Sequence, residues 1–208
     1  LCTSAPSAPT ASAVTGYSDA GCVQVLESAS GSQVTMTPGG DAQQFTGATF
    51  TRPPNGAYTH GVMLIDNIFT ISMDREFSAS LSGGSSGTGK YCATITGSAN
   101  EATGGSVVCS SSDNLTAGNW GAILTSFDGS SSEDYDVTAT NLNGTGNDIS
   151  GYLVTSAEKL STSRGAVTDL IGIQTFASPV VITKEFKGLN IAFGCLLYTS
   201  DAADETCR

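Results

Sequence analysis

From Phe69 to Leu81 the chain alternates. Phe69, Ile71, Met73, Phe77, Ala79 and Leu81 take the odd positions, while Thr70, Ser72, Asp74, Glu76, Ser78 and Ser80 take the even ones. Arg75 is the single intruder. A period of two places all the apolar groups on one face of a pleated strand, which predicts one long half-buried strand or two in register. A helix would scatter the same residues around its circumference.

The same period recurs along the chain. Val34 and Met36 alternate with Gln33, Thr35 and Thr37; shorter runs are Tyr91/Ala93/Ile95, Ile123/Thr125/Phe127, Tyr135/Val137/Ala139, Ile171/Ile173 and Leu189/Ile191/Phe193. Turn formers separate them: Pro38-Gly-Gly40, Pro53-Pro-Asn-Gly56, Gly83-Gly-Ser-Ser-Gly87, Gly104-Gly105 and Asn143-Gly144. Glycine and Asn reach backbone conformations closed to other residues, so these clusters break strands. The pattern predicts an all-β chain, an antiparallel β-sandwich or jelly roll of ten or more strands. Helical periodicity is nowhere sustained, although Thr155–Ser161 has room for one turn. Val62-Met-Leu-Ile65 and Ile68-Phe69 are apolar on both faces, which predicts a strand buried in the core ahead of one covered by another subunit.

Polarity here comes from hydroxyls rather than charge. Only 13% of the residues are charged, about half the usual share, and Ser, Thr and Gly fill the difference. The net charge of −11 and eight scattered Lys and Arg exclude a nucleic-acid binder, which needs clustered cations to displace counterions. They also argue against anionic membrane surfaces, and no apolar run is long enough for a membrane helix. Residues 1–22 hold an Ala/Pro/Ser/Thr stretch that reads as an extended N-terminal arm or linker. Residues 23–194 read as the β-sandwich domain. With no initiator Met or signal sequence, the chain reads as a processed form or fragment.

The six cysteines (Cys2, Cys22, Cys92, Cys109, Cys195 and Cys207) show no metal-ligand spacing. With a single His in the chain, disulfides and an oxidising compartment are the better reading. The simplest pairing is sequential, Cys2 with Cys22 and Cys92 with Cys109. A loop of the latter size gains about 3 kcal/mol by restricting the unfolded chain. The stretch Cys195-Leu-Leu-Tyr-Thr-Ser-Asp-Ala-Ala-Asp-Glu205 resembles the conceptual translation of a transposase sequencing adapter. That resemblance implies that residues 195–208 are a non-native tail.

The search for chemistry finds no catalytic constellation and implies no cofactor. His60 sits in Tyr58-Thr-His-Gly61 without a hydrolase triad or nucleophile elbow. Gly83–Gly89 lacks the Lys-Ser/Thr ending of a phosphate loop. Paired carboxylates for glycoside hydrolysis are drawn from Asp66, Asp74, Glu76, Glu101, Asp128, Glu133, Asp134 and Asp136. Asp74 and Glu76 read first as a solvated strand face. The loop Asp128-Gly-Ser-Ser-Ser-Glu-Asp-Tyr-Asp136 is a weak calcium candidate through Asp128, Glu133, Asp134 and Asp136, without EF-hand spacing. The sequons Asn114-Leu-Thr116 and Asn143-Gly-Thr145 fit N-glycosylation in a eukaryotic source.

Many short strands, few charges, an even cysteine count and an arm-like N-terminus together resemble secreted β-sandwich pilus or filament subunits, without any diagnostic motif. That resemblance implies a non-enzymatic extracellular subunit assembling into a fibre by strand or arm exchange, with copies of itself as partners. The alternative is a carbohydrate-binding or adhesive module using Trp120, Tyr58, Tyr91 or Tyr152; a secreted glycoside hydrolase comes third.

Overall fold

A computed structural model describes residues 1–28, 47–100, 104–127, 133–141 and 144–188. The described residues form twelve strands and no α-helix: β1 (Leu26–Glu27), β2 (Thr49–Phe50), β3 (Gly56–Asp66), β4 (Ile68–Ile71), β5 (Asp74–Ser82), β6 (Thr88–Thr94), β7 (Gly97–Asn100), β8 (Val107–Ser110), β9 (Trp120–Ile123), β10 (Asp136–Ala139), β11 (Asp148–Val154) and β12 (Asp169–Ile182). The chain is all-β and sandwich-like, as its periodicity predicts. Val34/Met36 and Leu189/Ile191/Phe193 lie outside the described residues, as do Cys195, Cys207 and the adapter-like stretch.

The largest sheet is antiparallel, in the order β10-β11-β12-β3. Its longest member, β12, is rich in β-branched residues, which pack well on a pleated surface. Opposite faces of this sheet feed two core clusters. Leu153 and its cross-strand partner Leu170 meet Tyr135, Val167, Leu124 and Phe127. Val154, Ile171 and Ile173 gather with Val62 and Tyr152. The β12–β3 register shifts between Thr175 and Val180, a stretch containing Pro179, whose missing N–H cannot join a ladder.

Asn67 ends β3 and turns the chain into β4. It is buried, and its Nδ2 donates to the carbonyls of Leu124 at 3.0 Å and Val167 at 3.4 Å. The long alternating run divides at Ser72-Met73 into β4 and β5, which belong to different sheets. β5 pairs with β6 as far as Asp74↔Ala93, and β6 pairs with β8. Beyond that point the two strands part, and β9 enters the fork, antiparallel to β4 and parallel to β7. Thr94 holds the fork open: its hydroxyl donates to the Gly118 carbonyl at 2.6 Å and accepts from the Met73 amide at 3.0 Å. Trp120 of β9 lies so close to Gly97 that a Cβ there would stand 2.8 Å from the indole ring.

Disulfides join Cys2 to Cys22 and Cys92 to Cys109, the sequential pairing. The first closes the N-terminal segment into a loop. Its backbone is fixed to β3, with Cys2 donating to the His60 carbonyl at 2.9 Å and accepting from the Thr59 amide at 3.0 Å. At the far side Val14 bridges Lys159, and Leu160 donates to Thr10. Pro6, Pro9, Thr15 and Ala20 are buried. A Pro/Ala-rich segment offers apolar surface to bury as readily as it forms a linker, and here it lies against the domain. Thr155–Ser161 is a turn rather than a helix, closed by Thr155 donating to Lys159, with Glu158 at φ 56°.

Candidate functional site

The Phe69 and Val62 runs differ most from expectation in their covering. Leu64, Ile68, Phe69, Ile71 and Leu81 are exposed, between 38% and 48% of each surface remaining accessible. Periodicity reports that a face is apolar; it cannot report that a neighbour covers it. Among the described residues β4 pairs only with β9, and β5 only with β6. Each therefore carries one unpaired row of backbone donors and acceptors beside exposed apolar side chains. Such an edge is a template for another strand.

Next to that edge lies an open groove of about 280 Å³, lined by Met73, Phe77, Leu81, Val107 and the Cys92–Cys109 disulfide. Its origin is the alternation itself. Arg75, Cys92 and Cys109 share one rung of the β5-β6-β8 sheet, so the disulfide sulfurs and the odd residues of β5 project from one face. Arg75, the intruder, projects there as well. Its guanidinium lies 5.4 Å from the Phe77 ring centroid, the distance of a cation–π contact. The opposite face carries Glu76, Tyr91 and Ser110 on the neighbouring rung. There the Glu76 charge, then burial, raise the Tyr91 pKa above its usual value.

The other candidates separate. His60 is held by backbone pairing to Cys2, with its Nδ1 2.8 Å from the Thr59 hydroxyl. Asp66 and Asp74 are exposed and belong to different sheets, Asp66 facing Asp169 across β3 and β12, Asp74 facing Ala93. Asp169 escaped the sequence search because only register reveals it as a neighbour. Glu101 and Asp128 lie outside the described residues. Of the calcium candidates, Glu133 accepts a hydrogen bond from the Tyr135 hydroxyl. Burial and this bond push the Tyr135 pKa up to about 12. Asp134 serves through its backbone, its carbonyl accepting from Phe127, and Asp136 pairs with Tyr152 in the β10–β11 ladder. Among the described residues no group of three or more His, Cys, Asp or Glu is placed to hold a metal ion. In the turn before β11, Asp148 Oδ1 accepts from the Asn141 amide, and Asn141 Oδ1 accepts from Gly146. Those oxygens close the turn.

The four aromatic candidates for a sugar platform are buried or half-buried. Trp120 and Tyr58 are buried, and Tyr58 donates its hydroxyl to the Pro54 carbonyl at 3.0 Å. Tyr152 packs beside the Ile171 cluster, and Tyr91 is half-buried on the outer face of β6. Among the described residues no helix is long and apolar enough to cross a membrane.

Comparison with known protein families, characterised proteins and solved structures finds no match.

Proposed function

We propose that this chain is a non-enzymatic, extracellular structural subunit that assembles with copies of itself by adding strands at exposed sheet edges. The observation that carries this reading is the apolar edge of β4 and β5 with its adjoining groove. Ile68, Phe69, Ile71 and Leu81 stand exposed beside unpaired backbone. A strand added there gains ladder hydrogen bonds for affinity, while side-chain pockets on alternate positions give specificity. The two disulfides fit an oxidising compartment and a durable polymer. The N-terminal loop is tied into its own domain at both ends, which favours the sheet edge over the arm as the joint.

A contact between a sheet edge and a different surface of the next copy is head-to-tail, and such contacts build filaments when the rotation does not close. Electron imaging and sedimentation of the full chain at near-neutral pH test this. Regular filaments, lost on introducing Asp at Ile71 or Leu81, are the expected result. Because both positions are exposed, these variants keep the circular-dichroism spectrum of the parent. A chain that stays monomeric at high concentration overturns the reading and favours a binding module.

A further inference from the structure

The loop between β8 and β9 carries a motif that assembly leaves unused. Asn114-Leu-Thr116 lies within it, and both Asn114 and Thr116 are exposed. Both ends are anchored. Ser112 donates to the Ser110 hydroxyl at 3.1 Å, Asn114 donates to the Ser112 carbonyl at 2.9 Å, and Gly118 donates to the Thr94 carbonyl at 2.6 Å. Between those anchors the backbone belongs to no strand, so a bulky substituent at Asn114 displaces no ladder partner.

The direction of this loop is also defined. Ser110 faces the same side as Tyr91, and its hydroxyl accepts from the Ser112 amide, so the loop leaves β8 over the outer face of the β5-β6-β8 sheet. That face holds Glu76, Tyr91 and Ser110, and it is opposite to the groove face of Phe77 and the Cys92–Cys109 disulfide. Asn114 is therefore accessible, in a loop that starts on the face opposite the apolar groove.

We infer that Asn114 is an N-glycan acceptor, and that its glycan marks the solvent-facing side of the β5-β6-β8 sheet. The donor is a lipid-pyrophosphate-linked oligosaccharide. The Asn114 side-chain nitrogen forms a bond to C1 of the first sugar while the C1–O bond to pyrophosphate breaks. The pyrophosphate leaves with the electron pair, and the amide gives up one proton. Thr116 supplies the hydroxyl by which the sequon is recognised. A glycan so placed is bulky and solubilising, and it leaves the groove open. The inference rests on loop geometry and holds whether or not the chain polymerises.

The test is secretion of the full chain from a eukaryotic host, followed by peptide mapping with and without an N-glycosidase. Expected are a glycopeptide containing Asn114 and its conversion to Asp on deglycosylation. Asn114→Gln and Thr116→Ala abolish the glycopeptide, whereas Thr116→Ser retains part of the occupancy. Thermal unfolding of parent and variants should coincide, since Asn114 has no place in the ladders. Secreted, folded chain with an unmodified Asn114 overturns the inference, and a glycan found on Asn143 alone overturns it equally. A glycan at Asn114 whose enzymatic removal unfolds the protein refutes the outward placement.

Discussion

Leu153 has no accessible surface and sits at the centre of the cluster formed with Tyr135, Val167, Leu124, Phe127 and Leu170. Leu153→Ala opens a cavity in a cluster whose other members come from β12 and from the connections before β10 and before β12. Leu170 is held in a ladder, and Leu124, Phe127 and Tyr135 by backbone hydrogen bonds, so they collapse only partly and the cost is transfer plus cavity, about 3 kcal/mol. For a chain of this size that lowers Tm by roughly 6–12 °C. Trp120, the only Trp and buried on β9, provides a fluorescence probe in a different sheet. In urea the midpoint should fall with m unchanged, and the Trp120 transition should move together with the circular-dichroism signal. Leu64→Ala is the control: with 47% of its surface accessible, it should cost less than about 1 kcal/mol. An unmoved Trp120 transition would refute the reasoning, because the sheets would then unfold as separate units. A loss below about 1 kcal/mol at Leu153 would refute the cavity argument itself.

Two further outcomes follow from the geometry. Asn67→Ala strips partners from the carbonyls of Leu124 and Val167, and urea unfolding should show a loss of about 1–3 kcal/mol. Tyr135 has a folded-state pKa of about 12, above its usual value. Its contribution is therefore complete below the ordinary Tyr range and lost as pH rises toward 12. An alkaline absorbance titration should show a late-titrating phenol that is lost in Tyr135→Phe, and stability should fall over that interval.

The strands were legible wherever alternation ran long. The Phe69–Leu81 pattern located β4 and β5, and Tyr91/Ala93 and Ile171/Ile173 located parts of β6 and β12. Covering was not legible. Val62-Met-Leu-Ile65 looks like core from its composition, yet Leu64 is exposed because hydrophobicity names a preference and packing depends on what else arrives. Asn67 carried no signal, since a polar residue between two apolar runs looks like a turn until its carbonyl partners are known. The N-terminal loop misled for a similar reason: Pro and Ala suit both an extended linker and a packed cover. Of the candidate site, Met73, Phe77 and Leu81 were visible as one strand face. Their meeting with Val107 and the Cys92–Cys109 bridge depended on register, which single-sequence patterns do not contain.

The pairing of β12 with β3 has a consequence for the nascent polypeptide. Gly56 must wait for Ile182, and Asp66 for Asp169. During synthesis β3 emerges with Val62, Met63, Leu64 and Ile65 and finds its ladder partner only after nearly every other strand has been made. Non-local closure of this kind is slow, and an unpaired apolar strand is prone to aggregate meanwhile. Productive maturation thus depends on how long β3 can be kept from wrong partners, and a holdase that sequesters it should raise the yield of folded chain more than any change to the finished core.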